Sequence, residues 1–466
     1  MRPGTGCRGR HRPLTETRDS CANATQKDTG VKTSFSPRWL ALMIAVTTTG
    51  AGAADLMDAW RAARDYDSGI ASSRARREAG VEARVQGRAP LLPQINGSYS
   101  ATRNYPKTPN GLPDYTTRVG GIQLTQTVFD WARFAGYSIG EQQALIADDQ
   151  LKAADQDLIV RVARAYFDVL LAEDTLTYTR GAKDAFAQSL AEAKKRFEVG
   201  SATIVDTNEA QANFDNAVAV EIQAVNDLAI KRNAFLLLTN LPGDSLKPLA
   251  PKLPLETPSP ANVDAWISRV DGGNLDVAVR RKQVLIADKS IDVSRAGHLP
   301  TLNLNAGWQK NDSNLSPLFG GNKTEGNSVG LTLTIPLFAG GGVQSQVREK
   351  AALRDAARED LETSRRTAEQ QVRTAYLGVT AGASQVVARQ NVVKSVETQL
   401  ASTRLGRDVG VRTSLDVLNA EQSVFQARRD LAQAKYAYLL SRLQLAQSVG
   451  QLETQDLAEI NRFLAN

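Results

Sequence analysis

Residues 200–211 read GSATIVDTNEAQ, and 210 residues later GVRTSLDVLNAE repeats the plan, with Gly200, Thr203, Asp206 and Ala210 answered by Gly410, Thr413, Asp416 and Ala420. The pairing is not isolated. Arg88-Ala89-Pro90-Leu91-Leu92-Pro93 is answered by Arg295-Ala296-Gly297-His298-Leu299-Pro300, Val128-Phe129 by Leu337-Phe338, and Arg164-Ala165-Tyr166 by Arg373-Thr374-Ala375-Tyr376, at offsets between 207 and 210. Offsets this steady mean that one unit is built twice, so the fold must be one that two copies of that unit can make. The copies are expected over 54–240 and 273–450, with a linker over 241–272 and a tail over 451–466. The linker opens with LPGDSLKPLAPKLPLETPSPA, which concentrates prolines and turn formers.

Each copy runs in the same order. A first helix (about 55–89; about 273–297) ends at a proline-containing break, and two stretches of strict two-residue alternation follow. In the first copy Ile95, Gly97, Tyr99 and Ala101 alternate with Asn96, Ser98, Ser100 and Thr102; in the second, Val329, Leu331, Leu333 and Ile335 alternate with Gly330, Thr332 and Thr334. Strands are predicted over about 94–104, 117–129, 301–311 and 327–338. Such strands ordinarily cover a soluble core. Here the polar face is small, uncharged Ser, Thr, Asn and Gly, which suits a wet lumen, while the opposite face suits lipid. Four strands cannot close a barrel, whereas four from each of three chains can, leaving no unpaired edge in the membrane.

After each strand pair comes a long stretch without proline, from Trp131 to Leu241 and from Leu337 to the last residue. Apolar and alanine positions recur there at helical spacing, as in Leu158, Val162, Ala165, Tyr166 and Val169. Helices are predicted over about 131–199, 203–240, 342–409 and 413–450. The longest would extend about 100 Å, and narrow apolar stripes on such rods are buried only against neighbours, in a coiled-coil bundle. Gly200 and Gly410 are placed to end helices in the left-handed conformation, Thr203 and Thr413 to cap the next ones, and Asp206 and Asp416 to fill the third position of a capping box. The repeated motif is therefore the tip of a helical hairpin.

Composition narrows the chemistry. Basic Lys32 and Arg38, the apolar run Trp39–Val46 and Ala51-Gly52-Ala53 read as an export signal removed near Ala54; Val31–Ala53 alone makes a complete one, so translation is expected to start near Val31. The apolar run is far short of the roughly 18 residues of a membrane-spanning helix. Residues 1–53 hold 8 Lys and Arg against 3 Asp and Glu, so totals of 56 and 50 fall to 48 and 47 without them. Nucleic acid binding thereby loses its electrostatic support. Cys7 and Cys21 leave with the signal and His298, to which no role is assigned, is the one histidine left, so metal, thiol and Ser-His-Asp chemistry are not expected and no cofactor is called for.

The order helix, strand pair, long helix, tip, long helix, given twice and closed by GQLETQDLAEIN at 450–461, resembles the TolC family of trimeric outer-membrane channel-tunnels over about residues 55–461. The resemblance implies a mostly α, mixed α and β fold: a homotrimer with a twelve-stranded barrel in outer-membrane lipid, continuous with a periplasmic α-helical tunnel. It further implies a non-enzymatic exit duct in the outer membrane of a Gram-negative bacterium. Its partners would be a periplasmic adaptor (membrane fusion) protein and an inner-membrane transporter, ABC-type or proton-driven, with drugs or type I secreted proteins as cargo. The competing classes are a periplasmic adaptor or a structural coiled-coil protein of the envelope.

By the same resemblance Arg412 bonds Asp206 of a neighbouring copy and locks the entrance, and Asp416 lines the constriction. Asn419 stands where the family has a second carboxylate, and Arg407 and Val205 stand at two further lock positions, which implies fewer ties and a less negative entrance. Three Asp416 carboxylates converging at the opening favour cations over anions. The plainer alternatives are that Asp206 and Asp416 only cap helices and that Arg412 pairs with Asp416 along its own helix.

Overall fold

The computed structural model describes residues 53–107 and 113–465. The export segment, with its alternative start near Val31, lies outside the described residues except for Ala53. The elements are α1 Leu56–Tyr66, α2 Ser68–Arg88, β1 Gln94–Asn104, β2 Tyr115–Phe129, α3 Trp131–Glu198, α4 Ile204–Thr239, α5 Val263–Ile267, α6 Val270–Gly273, α7 Leu275–Arg295, β3 Thr301–Ser313, β4 Lys323–Thr334, α8 Gly342–Asp408, α9 Ser414–Ser448 and α10 Thr454–Asn461. The segment expected as one helix over about 55–89 is two. Asp67 has extended backbone, its carboxylate accepts from the Ile70 amide at 3.1 Å to start α2, and Arg161 of α3 holds it at 2.9 Å.

The strands form one antiparallel sheet in the order β1-β2-β3-β4, so among the described residues β1 and β4 each keep one edge without a partner strand. The register sorts the side chains. Ile95 opposes Leu124, Leu124 opposes Ala306 and Ala306 opposes Val329; one row along, Gly97, Ile122, Trp308 and Asn327 line up. The other face carries Asn96, Gln123, Gly307 and Ser328. Apart from Asn327, that first face is apolar across these rows and largely uncovered, with Ile95 66% and Val329 78% exposed. Among the described residues no helix is long and apolar enough to cross a membrane.

Each strand pair feeds directly into a long helix. At the first joint Asp130 caps α3 by accepting from the Ala132 amide at 3.0 Å, while Arg133 pairs with Asp130 and donates to the Pro90 carbonyl and the Thr127 hydroxyl. At the second, Gly340 and Gly341 turn the chain at φ +59° and +81° and no side chain caps α8. α3 has 68 residues and α8 has 67, about 100 Å each. α3 packs against α2, α7, α4 and α9, and α8 against α7 and α9. Their hairpins are heptad-spaced: α4 buries Ala210, Ala217 and Ala224, and α8 buries Val372, Val379 and Val386, the 3.5-residue period of a left-handed coiled coil.

The main core lies midway, where the linker and the last residues wrap the helices. Tyr166 and Phe167 of α3, Phe235 of α4 and Tyr438 of α9 are fully buried there. The Tyr166 hydroxyl contacts the carbonyls of Ala54 at 3.1 Å and Lys247 at 2.9 Å, and short bridges join Ala54 to Leu246 and Leu249 to Leu464. Three remote segments of sequence are thereby fastened at one girdle.

Candidate functional site at the hairpin tips

Both tips form by the same local chemistry. Gly200 and Gly410 adopt φ +74° and +82°, a conformation that only glycine enters without strain, and their amides donate to the Phe197 and Arg407 carbonyls, each at 2.9 Å. Thr203 and Thr413 are extended N-caps whose hydroxyls accept from the Asp206 and Asp416 amides, both at 3.2 Å. In return each aspartate carboxylate accepts from its threonine's amide, at 2.8 Å in the first tip and 2.9 Å in the second, and from its hydroxyl at 2.9 Å. The backbone N–H of Thr203 and then its hydroxyl hold the exposed Asp206 carboxyl below the usual carboxylate range. Thr413 does the same for Asp416, with the Arg412 charge adding to it. Both groups therefore keep their negative charge at neutral pH while capping their helices.

The two tips of one chain enclose a cavity of about 490 Å³ whose lining includes Asp206 and Arg412 together with Arg196, Glu209 and Arg407. A second cavity, about 440 Å³, lies between α8 and α9 and brings Asp416, Asn419 and Arg412 together. Asp416 and Asn419, three apart, share one face of α9. Among the described residues, Arg412 makes no ion pair with Asp206 or Asp416 inside the chain; its stem folds back over Gly406. Val205 is 59% exposed and offers no polar atom.

Arg407 does more than its place in the sequence implied. Its guanidinium lies 3.9 Å from the Glu192 carboxylate of α3 and 3.2 Å from Asp408, so it joins the second hairpin to the first within one chain. A partly exposed pair of this kind contributes about 0.2–1 kcal/mol. Glu192 was not singled out in the sequence, nor was the Arg404–Glu421 pair at 2.6 Å or the Arg428–Glu397 pair at 2.5 Å. The last two had a usable signal: in an antiparallel hairpin, residues equally far from the tip stand level, and both pairs are symmetric about the second tip. Among the described residues no cluster of His, Cys, Asp and Glu could hold a metal ion.

Two stretches, residues 61–241 and 266–451, match the family described as outer membrane efflux protein. The chain is 31% identical over 430 residues to the outer membrane protein TolC of Vibrio cholerae, covering 92% of this chain and 98% of that one. It is 32% identical over 412 residues to the alkaline protease secretion protein AprF of Pseudomonas aeruginosa, covering 86% and 85%. The solved outer membrane channel CmeC of Campylobacter jejuni has the same fold, with a TM-score of 0.74 over 88% of this chain and 90% of that chain at 18% identity.

Proposed function

This chain belongs to the TolC family of outer membrane efflux proteins, and we propose that it serves as the exit duct of a tripartite export system, opened by docking of partners at its hairpin tips. It is an outer membrane channel with a periplasmic extension and is not an enzyme. The alternative of a periplasmic adaptor or envelope scaffold falls with that membership. The observation that supports the duct most directly is the uncovered apolar sheet face, flanked by two strand edges without partners and joined to helices of about 100 Å. Three copies, each adding four strands, give a closed barrel over a helical tunnel that bridges much of the periplasm.

At the tunnel's far end Asp206 and Arg412 of adjacent copies form the lock, with the Arg407–Glu192 pair adding a tie inside each copy. Asp416 and Asn419 line the constriction. The partners are a periplasmic adaptor and an inner-membrane transporter, ABC-type or proton-driven, and they supply the energy. AprF is named for alkaline protease secretion, which supports a type I secreted protein as cargo beside small molecules.

The ring of three Asp416 carboxylates gives the entrance its charge preference, since converging anions raise the local cation concentration. Replacing Asp416 by alanine is expected to reduce cation selectivity in planar bilayers and to weaken block by multivalent cations. Unchanged selectivity and block in that variant would remove Asp416 from the constriction.

A further inference from the structure

Toward the hairpin loops the apolar sheet face changes its chemistry. Leu304 with Leu331, and Ala306 with Val329, form apolar rows, and Ile122 and Trp308 stand in the next. Beyond them come Tyr99, Gly120, Lys310 and Glu325, then Ala101, Arg118, Asp312 and Lys323, then Arg103 opposite Thr116. The Trp308 ring N–H donates to Glu325 at 3.2 Å, one row outward, so the ring marks the boundary with its polar edge on the charged side. At the same levels the other face carries only uncharged strand residues, among them Thr102, Thr117, Gln309, Asn311 and Thr324.

Charged rows standing in water above a membrane would have no cause to avoid one face of a barrel that is wet on both. Charge confined to the outward face answers something met only outside the barrel. One row is two residues, about 6.6 Å along a strand and about 5 Å in height at a tilt near 40°. Lys310 and Arg118 thus stand about 5 and 10 Å beyond Trp308, the level of a headgroup layer roughly 5–8 Å deep. The helices extend into the periplasm, so these rows meet the outer leaflet. Lys310 pairs with Glu325 at 3.3 Å, Lys323 with Asp312 at 3.4 Å and Arg103 with Asp114 at 3.8 Å, whereas the exposed Arg118 has no ion pair among the described residues. The cations of this patch therefore exceed its carboxylates by one charge in each copy.

We propose that this outward patch, with Arg118 at its centre and Lys310 and Lys323 beside it, binds the phosphate groups of outer-leaflet lipids and holds a ring of phosphorylated lipid round the barrel. This rests on the reading above that the apolar sheet face meets lipid. The occupant is a lipid because the cations are continuous with the apolar rows: a headgroup phosphate at Arg118 lays its acyl chains along Trp308, Ile122 and Ala306. The Arg118 guanidinium can offer two N–H donors to one phosphate, and the lysine stems reach the same level while lying on the sheet. The interleaved carboxylates space the cations without cancelling their excess.

The test titrates the full-length protein in a neutral detergent with diphosphorylated lipid A, with the same lipid stripped of phosphate, and with inorganic phosphate, reading bound lipid by native mass spectrometry. The wild type is expected to retain lipid A over the stripped lipid, less so as salt rises, and inorganic phosphate at equal concentration is expected not to displace it. Arg118→Gln with Lys310→Gln is expected to weaken lipid A binding about thirtyfold, since each basic residue at an anionic surface counts for about fivefold. Thr117→Ala with Gln309→Ala, on the lumen face, is expected to leave it unchanged. Equal retention of the two lipids by the wild type would overturn the proposal without recourse to any variant, as would equal retention of lipid A by the wild type and the basic-residue variant. Displacement by inorganic phosphate at equal concentration would overturn the choice of a lipid as occupant. Wild-type protein released from membranes by alkaline carbonate without detergent would instead sink the lipid-facing reading itself.

Discussion

Asp174 shows how one carboxyl can work against the fold. It lies between α3 and α9, accepts from the Tyr436 hydroxyl at 2.9 Å, and is pushed above its ordinary 3.8 first by burial, with the neighbouring Glu173 charge adding to it. A carboxyl whose pKa rises on folding stabilises the folded state below its unfolded value and loses that contribution as pH rises through the folded value. At neutral pH its ionised form is therefore a liability. Asp174→Asn keeps an acceptor for Tyr436 and is expected to raise the thermal stability of the protein at pH 7, with the gain fading as the pH falls through the raised folded-state value and gone below about 3.8. Thermal melts of both proteins across that range check the sign; a variant less stable at pH 7 would contradict it.

The helix pair α2 and α3 depends on the absence of side chains. A Cβ on Gly140 would stand 2.4 Å from the Ala83 carbonyl oxygen, and one on Gly80 would meet the Ala147 methyl at 2.4 Å. Backbone cannot yield as a flexible side chain can, so the helices would have to separate. Gly140→Ala is expected to cost about 1–3 kcal/mol through overpacking. By contrast, Gly136→Ala, with nothing within 4 Å, is expected to be neutral or to stabilise by up to about 1 kcal/mol. The two variants, compared for resistance to heat and denaturant, separate a close approach from mere helix propensity. At the girdle Gly450 is equally constrained: it combines φ +69° with the Gly273 carbonyl oxygen 1.9 Å from where a Cβ would sit.

For the assembled channel the sheet's two faces make opposite demands. Leu331 lies in the apolar row with Leu304, and Thr332, one residue on, lies with Asn303 and Thr127 on the polar face. An arginine at Leu331 would meet lipid at a cost of about 2–4 kcal/mol near the bilayer midplane. Leu331→Arg is therefore expected to lower the amount of protein recovered in outer membranes, while Thr332→Arg inserts normally and alters conductance. Equal insertion of both variants would show that the faces are assigned the wrong way round.

Much of this was legible in the chain because the signals are local. The alternation of Leu331 and Thr332, the glycine stops and the threonine caps each depend on residues within a few positions of one another, the backbone answers them directly, and the duplication shows because these local patterns recur 207 to 210 residues on. What tertiary structure decided depends on alignment between remote segments. The break at Asp67 needs Arg161, 94 residues away; the Arg407 tie needs Glu192 brought level from another hairpin; the girdle needs Ala54, Lys247 and Tyr166 in one place. In helices of about 100 Å, a shift of a single turn exchanges every cross-helix partner, so such pairs are set by the packing of whole hairpins and not by the residues that form them.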